Sequence, residues 1–189
     1  MLRGWREGLE SASATFLNTL TAAVDIVLGV APTDAALDDA WNQALAGLQF
    51  VRGYDFSMFA VEQVLYKAFV SVTDTTGRPL YPIISPANSN GQATSRFRQL
   101  DLSGVIASPA WSLASTPGSL NNSWLFDPSC VWGWASTPQR LEFPGSGGAA
   151  AGVEYKPVAH VDLAIWGYKA FANTDIGGVR QVTYDSVAP

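Results

Sequence analysis

The sequence is short of charge. Only 14% of its 189 residues are Asp, Glu, Lys or Arg, against about 25% in an average soluble domain. Cysteine is nearly missing: Cys130 stands alone, which excludes a disulfide framework. His160 is the only histidine, so a multi-His or Cys-type zinc site is excluded as well. A basic excess is absent too. The 11 basic and 16 acidic residues give a net charge of −5, the wrong sign for a free-standing nucleic-acid binder. No apolar run is long enough to span a membrane, because the best stretch, Ala22 to Ala31, is short and carries Asp25. The same Asp25, with Glu7 and Glu10, argues against a signal peptide. Synthesis in the cytoplasm is therefore expected.

What the sequence has is aromatic and apolar surface. Aromatics make up 12%, including seven Trp, and hydrophobic residues 48%. A chain of this length buries roughly two-thirds of its unfolded surface, so one domain, or two small interleaved ones, can hold a core. Core packing accounts for most of the Trp. The other readings are a subunit interface, where Trp is enriched, and a sugar-stacking platform; low charge favours the interface.

Apolar residues recur at Leu2, Trp5, Leu9, Ala12, Phe16, Leu20, Ala23, Val24, Val27 and Leu28. Steps of three and four predict one helix from Leu2 to Leu28, about 40 Å long at ~1.5 Å per residue. Gly29 and Pro32 end it. Thr33 caps a second helix running to about Phe50. Ser57 is the expected cap of a third, Met58 to about Val70, with a strand over Ala68 to Val72 as the competing reading. Asp74 to Gly77 is a turn, and Leu80 to Ile84 a short strand. Ser85 to Thr94 and Ser115 to Asn122 read as polar loops. Leu100–Leu102 and Val105–Ala107 flank a turn at Gly104. Ser123 to Phe126 is a strand, and Asp127-Pro128 opens a turn or short helix through Trp134. Arg140 to Phe143 is a strand, Pro144 to Gly152 a Gly/Ala loop, and Val158 to Phe171 largely alternates. Gly177-Gly178 turns into a last strand, Val179 to Tyr184. Helices first and strands later predict an α+β fold.

Catalytic signals are weak. Pro144 to Ala150 matches GxGxxA, but no room for the phosphate-binding helix follows it. His160 lies on a strand beside Asp162, and no GxSxG exists to supply a nucleophile. Cys130, among Phe126, Trp132 and Trp134, reads as a small core hydrophobe. Asp38 and Asp39 are adjacent on a helix and so point to different sides. Asn121-Asn122-Ser123 fits a glycosylation sequon, which has no meaning without export. No base, nucleophile and orienting group assemble into a site. The expectation is a non-enzyme with no catalytic, cofactor-binding or metal residues.

Four stretches, in order, carry a resemblance. They are Val72-Thr73-Asp74-Thr75-Thr76-Gly77-Arg78-Pro79-Leu80-Tyr81 after a helix; Leu100-Asp101-Leu102-Ser103-Gly104-Val105-Ile106-Ala107-Ser108-Pro109; Trp124-Leu125-Phe126-Asp127-Pro128-Ser129-Cys130-Val131-Trp132; and Val161 to Phe171 followed by Val179-Arg180-Gln181-Val182. From about Ala60 to Tyr184 the chain resembles the C-terminal part of the major capsid proteins of tailed double-stranded DNA bacteriophages, whose shell fold is shared with encapsulins. The resemblance implies a phage major-capsid-protein shell fold of two interleaved subdomains, with a spine helix, further helices and a mixed or antiparallel sheet. Residues 1–31 would be the peripheral-domain spine helix and 32–138 the axial domain. Residues 139–163 would be peripheral-domain strands and loop, and 164–189 the strands returning to the axial domain.

The same resemblance implies a structural subunit of an icosahedral capsid that self-associates into pentamers and hexamers. Scaffolding protein, portal and non-specifically held packaged DNA are the implied partners, with no membrane, and the virion capsid is the implied location. Family members carry an N-terminal arm and an extended loop before the spine helix. This sequence starts at the helix, so a truncated form, a split gene or a reduced variant is expected. With no Asn between Pro144 and Pro157, no Lys–Asn isopeptide cross-link is expected. Two other readings stand beside this one: an encapsulin-like compartment shell, and a carbohydrate- or receptor-binding β module.

Overall fold

The computed structural model describes residues 2–20, 23–84, 99–116, 118–144 and 161–185. Its centre is a seven-stranded mixed sheet. The strands are β1 (Val24–Val30), β2 (Met58–Val61), β3 (Ile83–Ile84), β4 (Gln99–Leu102), β5 (Val105–Pro109), β6 (Leu120–Phe126) and, last in the chain, β11 (Val179–Asp185). Their order is β1-β11-β6-β2-β5-β4-β3. β1 runs parallel to β11 and β2 parallel to β5, while the remaining pairs are antiparallel. Three helices cover it: α1 (Leu2–Leu17), α2 (Asp34–Leu48) and α3 (Gln63–Ser71). Two further ribbons pair β7 (Val131–Ala135) with β10 (Lys169–Asn173), and β8 (Gln139–Pro144) with β9 (Val161–Trp166).

The sheet has a core on each face, because successive strand residues point to opposite sides. On β6, Leu125 joins Trp41, Phe59, Leu65 and Phe69 beneath α2 and α3. Its neighbour Trp124 joins Ala14 and Leu17 of α1 on the other side. β11 divides in the same way, with Val182 and Tyr184 toward α2 and α3 and Val179 toward α1. An aromatic stack forms the centre of the larger core. Trp41 lies on Phe59 at 5.1 Å and 14°, and Phe69 meets both rings edge-on.

Several expectations need correction. The helix expected over Leu2 to Leu28 stops at Leu17, where Thr19 and Leu20 donate to Phe16 and Leu17 in a tightened last turn. Val24 to Val30 is a strand instead. Its β-branched residues lose rotamer freedom in a helix, and β11 offers a ladder to join. The third helix begins later than expected. Met58–Val61 is a strand with Phe59 and Val61 buried, and the cap is Glu62 in place of Ser57. Leu120 to Asn122 belong to β6 and not to a loop. After Asp127, residues 128–130 turn and β7 follows where a short helix was an option. Strands therefore precede α2 and α3, so the simple order of helices then strands does not hold, although the mixed sheet does.

Other expectations agree. Thr33 Oγ1 accepts from Ala36 N and caps α2. Ser103 and Gly104 both take positive φ (59° and 94°), the two-residue hairpin turn that joins β4 to β5. The Gly104 amide donates to Asp101 Oδ1 at 2.7 Å and locks that turn.

Candidate assembly surface

Asp38 accepts from Asn42 at 3.0 Å and from the Tyr81 hydroxyl at 2.6 Å, whereas Asp39 accepts from Gln43. The two carboxyls face different neighbours and form no pair. Burial and that bond to Asp38 raise the Tyr81 phenol well above its ordinary range. Asn121 is buried: its oxygen accepts from Thr116 N, and its amide donates to Thr116 O and Ser119 O. It is a loop lock with no room for a glycan. His160 and the loop following Pro144 lie outside the described residues. Among the described residues, no group of three or more His, Cys, Asp or Glu could hold a metal ion. No described helix is long and apolar enough to cross a membrane. A groove of about 210 Å³ between the end of α1 and β6 is lined by amides and hydroxyls, with Trp124 beside them. Among the described residues that line it there is no acid, base or thiol.

Cys130 is buried, as a small hydrophobe should be. It sits in a tight corner at which β7, β10 and β11 converge. Asp127 Oδ2 accepts from Asp55 N and Asp127 Oδ1 from Ser129 N, both at 2.7 Å. The Ser129 hydroxyl, then the Asp55 and Ser129 amides, hold Asp127 below the usual carboxylate range, so it is a charged acceptor at neutral pH. Tyr54 donates to Asp175 at 2.6 Å. That bond and the Gly177 amide lower Asp175 in turn. Buried Arg180 donates to Gly177 O and Val179 O, and stacks over Phe56 at 4.8 Å. Burial lowers the pKa of its guanidinium.

Gly178 completes the corner. A Cβ there would stand 2.3 Å from Cys130 Sγ, closer than any real contact. Gly178→Ala is expected to destabilise the fold by about 1–3 kcal/mol through overpacking. Adding Cys130→Ala, which removes the clashing sulfur, should recover part of that loss. Urea denaturation of the two single variants and the double variant measures the coupling; strict additivity would show that the contact does not matter.

The corner aims the β7–β10 ribbon. Phe171 packs on Gly133 and stacks on Phe16 of α1 at 5.7 Å, while Lys169 Nζ donates to Gly8 O. The opposite side carries Trp132 and Trp134, which are 48% and 53% exposed and stack at 6.1 Å and 15°. Further exposed apolar groups lie at the sheet's two edges. Val30 and Leu120 flank Asp185 at the β1 end. Ile83 and Ile84 mark the β3 end. For so weakly charged a chain, this is surface suited to contact. The sequence reading missed that Trp132 and Trp134 form a pair. Their i, i+2 spacing was the available signal, but the turn-or-helix reading of Asp127 to Trp134 hid it.

No protein-family model matches the chain, and no curated protein matches it. Solved structures do. One is the capsid of an empty GTA particle computed with C5 symmetry, at 16% identity and a TM-score of 0.52, covering 87% of this chain and 50% of that one. Another is from Gordonia phage Cozz, at 18% identity and a TM-score of 0.50, covering 90% of this chain and 52% of that one. The likeness is one of fold: the chain has a phage-capsid-like architecture of a mixed sheet and three helices. It spans about half the length of the solved chains it matches.

Proposed function

We infer that the protein is a structural shell subunit, the axial and peripheral parts of a major capsid protein, and that its function is association with copies of itself. The observation that carries the reading is the fold shared with the GTA-particle capsid over 87% of the chain. Exposed Trp and aliphatic groups on a chain only 14% charged support it, because contact then costs little desolvation of ions. On this reading residues 1–31, with α1, belong to the peripheral domain, and residues 32–138 form the axial domain. Residues 139–163 are peripheral strands and loop, and 164–189 return to the axial domain. No catalytic role is assigned. Packaged DNA, scaffolding protein and portal are partners of the assembled shell, and the virion capsid is its location.

Negative-stain electron microscopy of the concentrated protein tests this. Five- or six-fold rings, sheets or shells are expected. Particles that stay monomeric at every concentration would count against it. An encapsulin-like compartment would instead show itself by a co-purifying cargo peptide.

A further inference from the structure

We propose that the outward face of the β7–β10 ribbon, centred on Trp132 and Trp134, is the surface on which a second copy of this chain docks. This rests on the shell-subunit reading and says which surface performs the association.

Register fixes what shares that face. Trp132 pairs with Ala172 and Trp134 with Ala170. Beyond the ladder, Ser136 N donates to Tyr168 O and Tyr168 N to Ser136 Oγ, both at 2.8 Å, which fastens the exposed Tyr168 to the end of the ribbon. The face is thus Trp132, Trp134, Ala170 and Ala172, with the exposed Tyr168 at its end, and these residues carry no charge. The other face is already seated on α1 through Phe171 and Lys169. An antiparallel ribbon with one solvated face alternates apolar and polar residues. Here the side toward α1 holds Lys169 and Asn173 beside Phe171, while the outward side is the apolar one, the reverse of what a solvated face carries.

Size and chemistry decide the occupant. Aromatics bury about 150–250 Å² each, so the open halves of the two Trp and most of Tyr168 offer roughly 350 Å². That is in the range of the largest apolar patch on a typical monomer, about 300–600 Å². It is close to half of the ~800 Å² that each partner gives to a standard interface, as the dry centre of such a contact should be. A sugar fits less well. The two indole rings are turned onto one another, and the face lacks the amides and carboxyls that orient hydroxyl-rich ligands.

Sedimentation velocity over a concentration series tests the assignment, with wild type beside Trp132→Ser/Trp134→Ser. Ala170→Glu is a second variant, which keeps both rings and places a charge on the same face. Circular dichroism checks that each is folded. Concentration-dependent oligomers are expected for wild type, with at least a tenfold higher concentration needed by either variant. If wild type assembles and folded variants assemble equally, the docking face is wrong and the shell reading stands. If wild type never assembles, both fall. A Trp emission shift with a glycan panel, lost in the double variant while assembly is unchanged, would overturn the proposal in favour of a carbohydrate.

Discussion

Trp41→Ala is expected to destabilise the fold by about 3–5 kcal/mol, the range for removing a large aromatic from a packed core. Trp41 is fully buried in the middle of α2, stacked flat on Phe59 and met edge-on by Phe69. Its indole N–H also reaches Leu102 O at 3.4 Å on β4. One side chain therefore joins α2, β2, α3 and the β4–β5 hairpin, and small neighbours cannot collapse into its space. Domains of this kind have about 5–15 kcal/mol in all, so the loss is about a fifth of the total or more. At about 2–4 °C per kcal/mol for chains of this size, Tm should fall by about 10 °C. Urea denaturation gives the same quantity from the midpoint, with the m-value unchanged. A loss under about 1 kcal/mol would mean that α2 does not pack on the sheet as described.

Much of this architecture is legible in the residues. Thr33, the helical stripe of Leu37 and Trp41, the Gly104 turn and the last strand from Val179 all lie where local chemistry puts them. Local signals fail where a tertiary partner decides. Leu20, Ala23, Val24, Val27 and Leu28 satisfy a helical period, but the outcome depends on β11, some 155 residues away, offering its edge to Val24. The four residues Met58–Val61 are too few for periodicity to tell strand from helix. What settles them is the pairing of Phe59 with Ala107 on one side and Leu125 on the other.

The candidate surface was legible only in kind. Low charge and abundant Trp point to contact, yet composition does not separate Trp41 and Trp124, which are core, from Trp132 and Trp134, which are outside. The difference arises from which face of β7 meets α1, and that follows from Gly133 admitting the Phe171 ring. A glycine making room for an aromatic across a ribbon is a pairing fact, so no window of sequence around Gly133 contains it.

Glu62→Ala is expected to cost about 3 kcal/mol, unusually much for a helix cap. An ordinary cap is worth about 0.5–2 kcal/mol. Glu62, however, is fully buried, and its carboxyl serves three donors: Val64 N at 2.6 Å, Leu65 N and the Ser115 hydroxyl. Its own amide donates to Ser123 Oγ at 3.0 Å on β6. The side chain thus starts α3 and anchors the loop before β6, while the backbone amide ties the residue to β6 itself. Alanine leaves donors without acceptors, each costing about 1–3 kcal/mol when dry. Glu62→Gln keeps one acceptor oxygen and is expected to lose less than half as much. Ser115→Ala removes one donor and should cost about 1 kcal/mol. In a double-mutant cycle Glu62 and Ser115 should be non-additive, since each removes the other's partner. Equilibrium denaturation of the four proteins measures this. Equal stability of the Ala and Gln variants would show that the carboxyl oxygens do not hold the start of α3, and that β2 passes into the helix on apolar packing alone.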